Sequence, residues 1–456
     1  MYRFALEELK NWASRPDHKP LVLRGARQVG KSYLATTLAD EVFDAIAEIN
    51  FEQTPEMAEL FSSRQPERII PLLELRLNLP IIPGKTLLFL DEIQAAPEVF
   101  ATLRYFYEQM PQLHIIAAGS LLEFVLANHK FSMPVGRIEY MHLGPMIFEE
   151  FLLAMGKQKL LDFLQGYSLS EPIPASIHNE FMRYVRDFCV IGGMPAAINI
   201  YSKTKSYLES ERILSNILST YRADFNKYGQ RVNQQRIEKV FLKIPNLVGQ
   251  KLKYSQIDRE EKSRDLKEAL HKLELAKIIH KVVHSDANGV PLGAEMNDKY
   301  FKTIFLDVGL LCRSAGITMS DIQSTDDLMM INSGQICEQF VGQHLLYSGK
   351  YYEDPQLFYW LRQRGSANAE VDYLLTQGTK IIPVEVKAGK SGSLKSLHVF
   401  VNEKQHDFAL RFYAGQPLFS DSVTSVSGMK QVKFCLLSLP FYLINQTKRL
   451  CRELTA

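Results

Sequence analysis

The residues best suited to chemistry lie near the N-terminus, in a glycine-rich segment that begins at Gly25 and ends at Ser32. Its sequence is G-A-R-Q-V-G-K-S, which has the pattern G-x-x-x-x-G-K-S. In such a segment the glycines let backbone N–H groups curl around a phosphate, the lysine reaches the β- and γ-phosphates, and the serine hydroxyl binds Mg²⁺. We therefore predict that Lys31 contacts nucleotide phosphates and that Ser32 is a ligand of Mg²⁺.

A pair of carboxylates follows the apolar run T-L-L-F-L at residues 86–90. The pair is Asp91 and Glu92. Two carboxylates at the end of a buried strand cost free energy unless a cation or water compensates them, which argues against a purely structural role. We predict that Asp91 holds Mg²⁺ through water and that Glu92 is the base that orients the attacking water.

Two further polar residues follow apolar runs in the same part of the chain. Ser120 comes after the run at 113–118 and is predicted to sense the γ-phosphate, although Gly-Ser after a strand is also simply a turn. Arg137 is either an arginine finger supplied in trans by a neighbouring subunit or an exposed arginine paired with an acidic neighbour. The predicted nucleotide-binding residues are Gly25, Ala26, Arg27, Gln28, Val29, Gly30, Lys31, Ser32, Tyr33, Asp91 and Ser120.

The C-terminal part contains the segments E-V-D at 370–372 and E-V-K at 385–387. Strand geometry puts Glu385 and Lys387 on one face, and Asp372 on the adjacent strand can come close to Glu385. Two carboxylates and the Val386 carbonyl would offer oxygen ligands to Mg²⁺, and Lys387 would position or activate water for attack on a phosphodiester. Alternatively, Lys387 forms a salt bridge with a carboxylate and the fold binds without cutting, or the E-x-K pattern is chance.

The elements that position these residues divide the chain into different patterns. Residues 1–150 alternate apolar runs with helical stretches, which is typical of a parallel sheet covered by helices. The predicted strands there are 20–24, 45–51, 86–90, 114–118 and 138–143, with a helix at 97–110. Residues 165–250 are predicted to be helical, with a break at the Gly-Gly-Met-Pro segment 192–195. The predicted C-terminal elements are a helix at 331–346, strands at 357–361, 370–375 and 381–386, a helix at 394–403 and a strand at 408–413.

The segment between these parts is compatible with a winged helix. Leu266, Leu270 and Leu273 form one apolar helical face, and Asn288-Gly289 is a strong hairpin-turn signal. Residues 249–282 contain nine Lys and Arg against six Asp and Glu. The two interpretations are a DNA reader whose second helix enters the major groove and a packing module with a charged solvent face, since the acidic residues would repel phosphates.

Composition limits the class of protein. Of 456 residues, 46% are hydrophobic and 23% are charged, which excludes a disordered or collagen-like chain. No apolar stretch is long enough for a membrane helix, and the acidic N-terminus does not look like a signal peptide. Five widely spaced cysteines predict reduced thiols in a cytoplasmic protein. Residues 1–150 hold 14 Lys and Arg against 20 Asp and Glu, whereas the rest of the chain has a net charge of +8, which permits nucleic-acid contact there.

Taken together, the motifs G-x-x-x-x-G-K-S, D-E-I-Q, G-S, G-R, G-G-M-P and E-V-D…E-V-K resemble those of prokaryotic AAA+-type ATPases. Those chains end in a domain of unknown function related to PD-(D/E)XK nucleases. The resemblance implies an α/β protein with an AAA+-like parallel-sheet ATPase core at 1–165, a helical lid at 166–232, a winged-helix-like segment at 233–322 and a nuclease-like domain at 323–456. Glu338 matches the extra acidic residue of PD-(D/E)XK enzymes, so the predicted metal ligands in the C-terminal domain are Glu338, Asp372 and Glu385.

Two hypotheses follow from the sequence. In the first, the chain is a DNA-processing ATPase that uses ATP and Mg²⁺, assembles as a homo-oligomer, and moves or remodels DNA that the C-terminal domain cuts or grips. In the second, the chain is an ATP-dependent switch, and its C-terminal domain is an inactive nuclease fold that binds DNA or a protein partner. The complete carboxylate set favours the first hypothesis.

Overall fold

The computed structural model describes residues 1–128, 136–228, 231–317, 333–362, 369–390, 392–424 and 433–455. They form two compact units. The first consists of Met1–Pro145, Leu275–Ile278 and Gly349–Pro355, and the second consists of Met146–Glu274, Ile279–Ser348 and Gln356–Ala456. Within the described ranges, no helix combines the length and the apolarity that crossing a bilayer requires.

The first unit is built on a parallel sheet whose strand order is β2-β3-β4-β1-β5. The strands are Leu21–Arg24 (β1), Ala45–Asn50 (β2), Thr86–Asp91 (β3), His114–Ala118 (β4) and Glu139–His142 (β5). The α-helices of this part are Ala5–Ser14, Lys31–Val42, Pro66–Leu77, Pro97–Gln109 and Leu122–Asn128. Shorter 3-10 helices span Pro55–Phe61 and Ile93–Ala95.

The strand order brings the predicted nucleotide-binding residues to one edge of the sheet. Strand β4 lies between β1 and β3, and all three run in the same direction. The residues that follow each strand therefore meet at its carboxyl edge, where ligands of parallel α/β sheets bind. Strands β3 and β4 are buried along their whole length, because helices cover both faces of the sheet.

The second unit contains a mixed sheet with the strand order β12-β13-β11-β10-β9-β8-β6-β7. Its strands are Ile279–Ser285 (β6), Met296–Phe305 (β7), Leu357–Leu361 (β8), Glu370–Gln377 (β9), Lys380–Val386 (β10), Phe408–Tyr413 (β11), Leu418–Thr424 (β12) and Lys433–Pro440 (β13). The helices of this part include Phe148–Ala154, Gln158–Gly166, Ala175–Ile191, Pro195–Thr204, Tyr207–Asp224, Arg231–Lys243, Tyr254–Ile257, Ser263–Leu275, Val308–Ser314, Ser333–Tyr347, Lys395–Lys404 and Thr447–Thr455. The 3-10 helices are Phe225–Tyr228, Ile244–Leu247, Leu292–Glu295 and Phe441–Gln446.

The strands and helices that were predicted around the sites are present, with bounds that differ by a few residues. In the C-terminal part, the order of helix, three strands, helix and strand agrees with the prediction. The first two residues of the helix predicted at 331–346 lie outside the described residues. The bounds of the four predicted domains stay predictions.

The predicted wing differs from the structure in two respects. Strands β6 and β7 do form an antiparallel hairpin, but β6 also pairs in parallel with β8, so the hairpin is the edge of the large C-terminal sheet. The turn is not the two-residue Asn288-Gly289 turn, because β6 ends at Ser285 and β7 begins at Met296. The Asn288 backbone N–H instead donates a hydrogen bond of 2.9 Å to Glu295 Oε2, which closes a longer loop.

The Gly-Gly-Met-Pro segment has a structural explanation within the second unit. It breaks the helical run, as predicted, between Ala175–Ile191 and Pro195–Thr204. The Gly193 N–H donates to Asp307 Oδ2 at 2.5 Å, and the Met146 N–H donates to the Gly193 carbonyl at 2.7 Å. A Cβ atom at Gly193 would lie 2.2 Å from the Met146 carbonyl oxygen, so only glycine fits.

Candidate nucleotide-binding site and C-terminal carboxylate cluster

The glycine-rich segment forms a tight loop between β1 and the helix that begins at Lys31. Gly25 and Gly30 have φ angles of 152° and 94°, which favour glycine. A Cβ at Gly25 would lie 2.1 Å from the Leu143 carbonyl oxygen, so the close approach of these two chain segments also requires glycine. The loop therefore has the conformation in which backbone N–H groups can face a phosphate at a helix N-terminus.

Lys31 is held inside this loop by its own backbone. Its Nζ donates to the carbonyl oxygens of Gly25 and Ala26 at 3.0 and 2.8 Å. The side chain is 8% exposed, and burial lowers the pKa of Lys31 to about 8, against the opposing effect of Glu92 and Asp91. Lys31 forms no ion pair with any residue that the structure describes, so its charge is left to meet phosphate oxygens.

Ser32 and Asp91 come together where Mg²⁺ is expected. Ser32 Oγ donates to Asp91 Oδ2 at 2.9 Å, and the Glu92 N–H donates to Asp91 Oδ1 at 3.0 Å. Burial raises the pKa of Asp91. A hydroxyl and a buried carboxylate that already share a hydrogen bond are a donor set that suits Mg²⁺, which prefers oxygen ligands and retains water. These residues fit the predicted metal.

Glu92 lies beside Asp91 in a left-handed backbone conformation, with φ of 50°. Its Oε2 accepts a hydrogen bond of 2.5 Å from Gln94 Nε2 and a longer one of 3.5 Å from Ser120 Oγ. The structure thus brings Glu92 and Ser120 together, and the role of Ser120 as a γ-phosphate sensor stays a prediction. Gln94 belongs to the D-E-I-Q motif but was not among the predicted site residues.

Arg3 is a further residue at this site that the sequence analysis missed. It is 5% exposed, and its guanidinium donates to the Val29 carbonyl at 2.9 Å and to the Gly144 carbonyl at 2.9 Å. Arg3 therefore links the phosphate loop at Val29 to the segment that follows β5. Tyr33 is half exposed, and its hydroxyl accepts a hydrogen bond from the N-terminal ammonium of Met1 at 2.6 Å.

Arg27 and Gln28 are two further residues of the phosphate loop. Arg27 lies 3.9 Å from Glu52, and Gln28 has a positive φ of 66°. Positive φ at a non-glycine residue is uncommon and marks the tight bend of the loop.

Arg137 is placed away from the phosphate loop of its own chain. It precedes β5, whose first residue, Glu139, is paired with Leu21 at the start of β1, so Arg137 lies at the amino edge of the sheet. Its Nε donates to Glu108 Oε1 at 2.9 Å. This is the ion pair with an acidic neighbour that the alternative interpretation predicted, and the role of a finger in trans stays a prediction.

In the second unit, the carboxylates predicted to bind metal surround a lysine that the sequence analysis missed. Lys302 lies on β7 and is fully buried. Its Nζ is 3.2 Å from Glu338 Oε2, 3.0 Å from Glu370 Oε1 and 3.7 Å from Asp372 Oδ1. The sequence signal was a lysine within the largely apolar run F-K-T-I-F at 301–305, and all five positions are buried in the structure.

Hydrogen bonds fix the elements that carry this cluster. The side-chain amide of Gln339 donates to the Phe305 carbonyl and accepts from the Phe305 N–H, both at 2.7 Å, which holds the helix Ser333–Tyr347 against the end of β7. The Tyr373 hydroxyl donates to the Glu338 carbonyl at 2.8 Å. These bonds place Glu338 against Lys302.

The E-V-K residues form a neighbouring pair. Lys387 Nζ donates to Glu385 Oε1 at 2.6 Å, and the Val386 N–H donates to Asp372 Oδ2 at 2.8 Å. Glu385 Oε2 is buried and has no hydrogen-bond partner among the described residues. Asp372 and Glu385 are therefore adjacent, and Lys387 forms the salt bridge that one alternative interpretation predicted.

The pKa shifts in this cluster show how its charges are balanced. Burial alone would lower the pKa of Lys302, but Glu338, Asp372 and Glu370 raise it well above its usual value. Burial raises the pKa of Glu338 to about 8, with Lys302 opposing. Burial and Asp372 raise the pKa of Glu385 to about 8, with Lys387 opposing. Lys302 therefore stays protonated, and part of the carboxylate charge is removed by protonation.

The predicted cation ligands in this unit do not fit a divalent cation as they are arranged. Lys302 already contacts the Glu338 and Asp372 oxygens to which the cation would bind. Across the described ranges, no group of three or more His, Cys, Asp or Glu residues is arranged to hold a metal. The predicted metal site at Glu338, Asp372 and Glu385 is thus occupied by an ammonium group.

The fold and the first site define a P-loop ATPase unit, and comparison with known families assigns its type. Residues 17–152 match the family described as AAA domain. Residues 182–321 match a domain of unknown function (DUF8612), and residues 333–429 match another (DUF4143). The N-terminal part is accordingly an AAA-type ATPase domain. The matches to the rest of the chain carry no functional description.

Solved structures provide distant likenesses only. A Walker-type ATPase of Pyrococcus abyssi is 17% identical with a TM-score of 0.43, and the match covers 68% of this chain and 94% of that one. The Aeropyrum pernix ORC2 protein is 12% identical with a TM-score of 0.36, over 71% and 95% of the two chains. The Thermotoga maritima RuvB Holliday junction branch migration motor is 15% identical with a TM-score of 0.29, over 61% and 89%. These TM-scores are too low to support an argument. No curated protein matches the chain.

Proposed function

We propose that this protein is an ATP-dependent switch in which nucleotide binding and hydrolysis in the AAA-type unit control the binding of DNA by the second unit. The observation that carries the ATPase part is the environment of Lys31, whose ammonium group is buried and, within the part of the chain that the structure describes, bonded only to backbone carbonyls. A buried, desolvated ammonium without a counter-ion is costly, and a nucleotide phosphate would relieve that cost.

The residues at the carboxyl edge of the sheet have distinct roles in this proposal. Ser32 and Asp91 would hold Mg²⁺, which supplies charge neutralisation at the phosphates when it is bound. Glu92 orients and deprotonates the attacking water, and Ser120 lies beside it to report whether the γ-phosphate is present. The left-handed conformation of Glu92 and its bond from Gln94 hold the carboxylate at one position before the nucleotide arrives.

An exposed basic face supports the DNA-binding part. Arg259, Lys262, Arg264 and Lys267 are exposed, and none of them forms an ion pair with a residue that the structure describes. Three of the nearby acidic residues that would repel phosphates are paired instead, and a fourth, Glu260, is exposed with no ion pair to a described residue. Asp258 and Glu261 accept from Lys239 at 2.9 and 3.3 Å, and Asp265 lies 3.0 Å from Arg236. The face is therefore more positive than its composition indicates.

The experiment measures DNA binding by the full chain in the presence of a non-hydrolysable ATP analogue and of ADP, over a range of salt concentrations. We expect the two nucleotide states to differ in affinity. The triple variant R259A/K262A/K267A should bind more weakly and reduce the salt slope by up to about 3, since each lost phosphate contact removes about 0.9. The control K159A/K203A/K380A removes three exposed lysines elsewhere in the second unit. Equal affinity in both states, or equal losses in both variants, would contradict the proposal.

Assembly is the second part of the proposal. We propose that the protein works as a homo-oligomer in which Arg137 of one subunit acts on the nucleotide of the next, because Arg137 lies at the opposite edge of its own sheet. Arg137→Ala should lower turnover by about 10³–10⁵, as arginine fingers do. Mixing R137A with K31A subunits should restore part of the activity. An active monomer with no dependence of specific activity on protein concentration would contradict this.

DNA cleavage is the competing candidate for the second unit. The order of elements and the adjacency of Asp372, Glu385 and Lys387 support a PD-(D/E)XK-like fold, and the unpartnered Glu385 Oε2 favours an active one. The assay incubates wild type, K387A and D372A with single-stranded, duplex and branched DNA and Mn²⁺. Cleavage by wild type that both variants lose would establish a nuclease. Under the switch proposal, wild type cuts none of these substrates, and a strand-displacement assay shows no net unwinding.

A further inference from the structure

Three carboxylates from two separate elements converge on Lys302. Glu338 comes from a helix, and Glu370 and Asp372 come from strand β9. Carboxylates that converge on one point from a helix and a strand are an arrangement typical of a bound cation, and here the point is occupied by Lys302 Nζ. The rings of Tyr359 and Tyr373 have their centroids 5.3 and 5.5 Å from the same nitrogen, which adds cation–π attraction.

The surroundings of Lys302 hold it in place. It lies within β7, paired with Val282 of β6, and its side chain is fully buried. The Gln339 amide, bonded to both backbone groups of Phe305, keeps the Glu338 helix against the same strand. Moving the ammonium group away would leave three partly buried carboxylates close together without a counter-charge, which is unfavourable.

Two oxygens of the neighbouring carboxylates also have partners, whereas a third does not. Asp372 Oδ2 accepts from the Val386 N–H, and Glu385 Oε1 accepts from Lys387. Glu385 Oε2 is the third: its residue is 5% exposed and this atom has no partner among the described residues. The two lysines therefore contact an oxygen of each of the four carboxylates. The buried Glu385 Oε2, which lacks a partner, is an oxygen that a cation could still bind.

We propose that Lys302 is a built-in replacement for a divalent cation, so that the second unit keeps a nuclease-like carboxylate cluster without binding metal, and that removal of the lysine charge opens a metal site at Glu338, Asp372 and Glu385. This inference deepens the binding role proposed above and rests on it. The inference gives the carboxylate cluster a structural role in a unit that binds DNA without cutting it. That role is to join the Ser333–Tyr347 helix to β7 and β9 through ion pairs with Lys302.

The test measures Mn²⁺ binding by the nucleotide-free full chain, using calorimetric titration and thermal melting with and without Mn²⁺. We compare wild type, K302M, K302R and K302M/D372N. K302M should bind one more Mn²⁺ per chain than wild type, and Mn²⁺ should raise its melting temperature. K302R keeps the charge and should behave as wild type, and K302M/D372N should lose the gained ion. Any Mn²⁺ bound at the first unit is common to all four proteins and cancels.

A second variant covers the case in which K302M does not fold. If K302M does not fold without metal, K302M/E370Q has one carboxylate fewer and is titrated in its place. A folded K302M or K302M/E370Q that gains no ion would overturn the inference, as would a wild-type Mn²⁺ ion that D372N removes. Because the measurement uses no nucleotide and no DNA, its failure leaves the ATPase and DNA-binding tests of the proposed function unaffected.

Discussion

The two units each bury a lysine close to acidic residues, and they treat its charge in opposite ways. Among the described residues, Lys31 donates only to the backbone carbonyls of its own loop, and burial lowers its pKa to about 8. Lys302 is surrounded by three carboxylates, which raise its pKa well above its usual value despite burial. Lys31 has no ion-pair partner among the described residues, and Glu92 and Asp91 only partly offset the effect of its burial. Lys302 has three carboxylate neighbours, whose combined charge exceeds its own.

This difference indicates which site is built to receive a ligand. A buried charge without a counter-ion is unstable until an anion arrives, so the first site is poised for phosphate. A buried charge inside a complete ion network gains little from a ligand and loses much if the network is broken. The residue types alone, lysine with aspartate and glutamate, do not distinguish these two situations.

For the comparison of the two buried lysines, the largest expected effect comes from removing the charge of Lys31. Lys31→Ala takes away the ammonium group that meets the phosphates, and we expect ATP hydrolysis to fall by about 10³, on the scale of losing a preorganised charge contact. Lys85→Ala, which removes an exposed lysine 3.8 Å from Asp44, is the control and should retain activity. Steady-state hydrolysis and nucleotide binding by fluorescence measure both. Retained nucleotide binding and turnover in K31A would show that the Lys31 charge does not meet the phosphates.

Glu92→Gln should separate binding from chemistry. The amide fills the same space but cannot take the proton of water, so turnover should fall by about 10² while the affinity for ATP is retained. Glu98→Gln, at an exposed carboxylate of the following helix, is the matched control. Full hydrolysis by E92Q would remove Glu92 from the role of base.

The pH dependence of ATP binding sharpens the comparison further. Phosphates bind the protonated form of Lys31, and in the free protein that form is lost as the pH rises through about 8. Affinity should therefore be nearly constant up to pH 7.5 and fall towards about tenfold per pH unit well above pH 8. In K31R the guanidinium stays charged, so its affinity, whatever its size, should not vary with pH in this range. A flat wild-type profile would show that Lys31 keeps its proton without nucleotide.

The sequence predicted the first site far better than the second, and distance along the chain is the reason. The phosphate loop is eight consecutive residues, and its partners Asp91 and Glu92 directly follow a strand, so local pattern and sheet geometry were enough. Lys302 lies 36 residues from Glu338 and 70 from Asp372. Their contact depends on β7 joining the C-terminal sheet, which the hairpin-turn signal at Asn288-Gly289 did not reveal.

The role of Arg3 was also missed because its partners are distant in the sequence. Its substitution gives the smallest effect that we predict, a change in ATP affinity. Its bonds reach Val29 and Gly144, 26 and 141 residues away. Arg3→Ala should loosen the phosphate loop and lower ATP affinity by about tenfold, or roughly 1.4 kcal/mol, since hydrogen bonds from a charged group contribute about 1.5–3 kcal/mol. Arg15→Ala removes an ion pair with Glu139 at a more exposed position and is the control. Equal affinities of R3A and R15A for ATP would show that Arg3 does not support the loop.

The most direct test of the contrast between the two sites is to locate Mn²⁺ by anomalous diffraction in crystals of the full chain grown with a non-hydrolysable ATP analogue and Mn²⁺. We predict an anomalous peak beside Ser32 and Asp91, with the analogue phosphates in contact with Lys31. We predict none among Glu338, Asp372 and Glu385, where Lys302 Nζ should remain within hydrogen-bond distance of the carboxylates. A Mn²⁺ ion bound to Asp372 and Glu385 with Lys302 displaced would contradict the account.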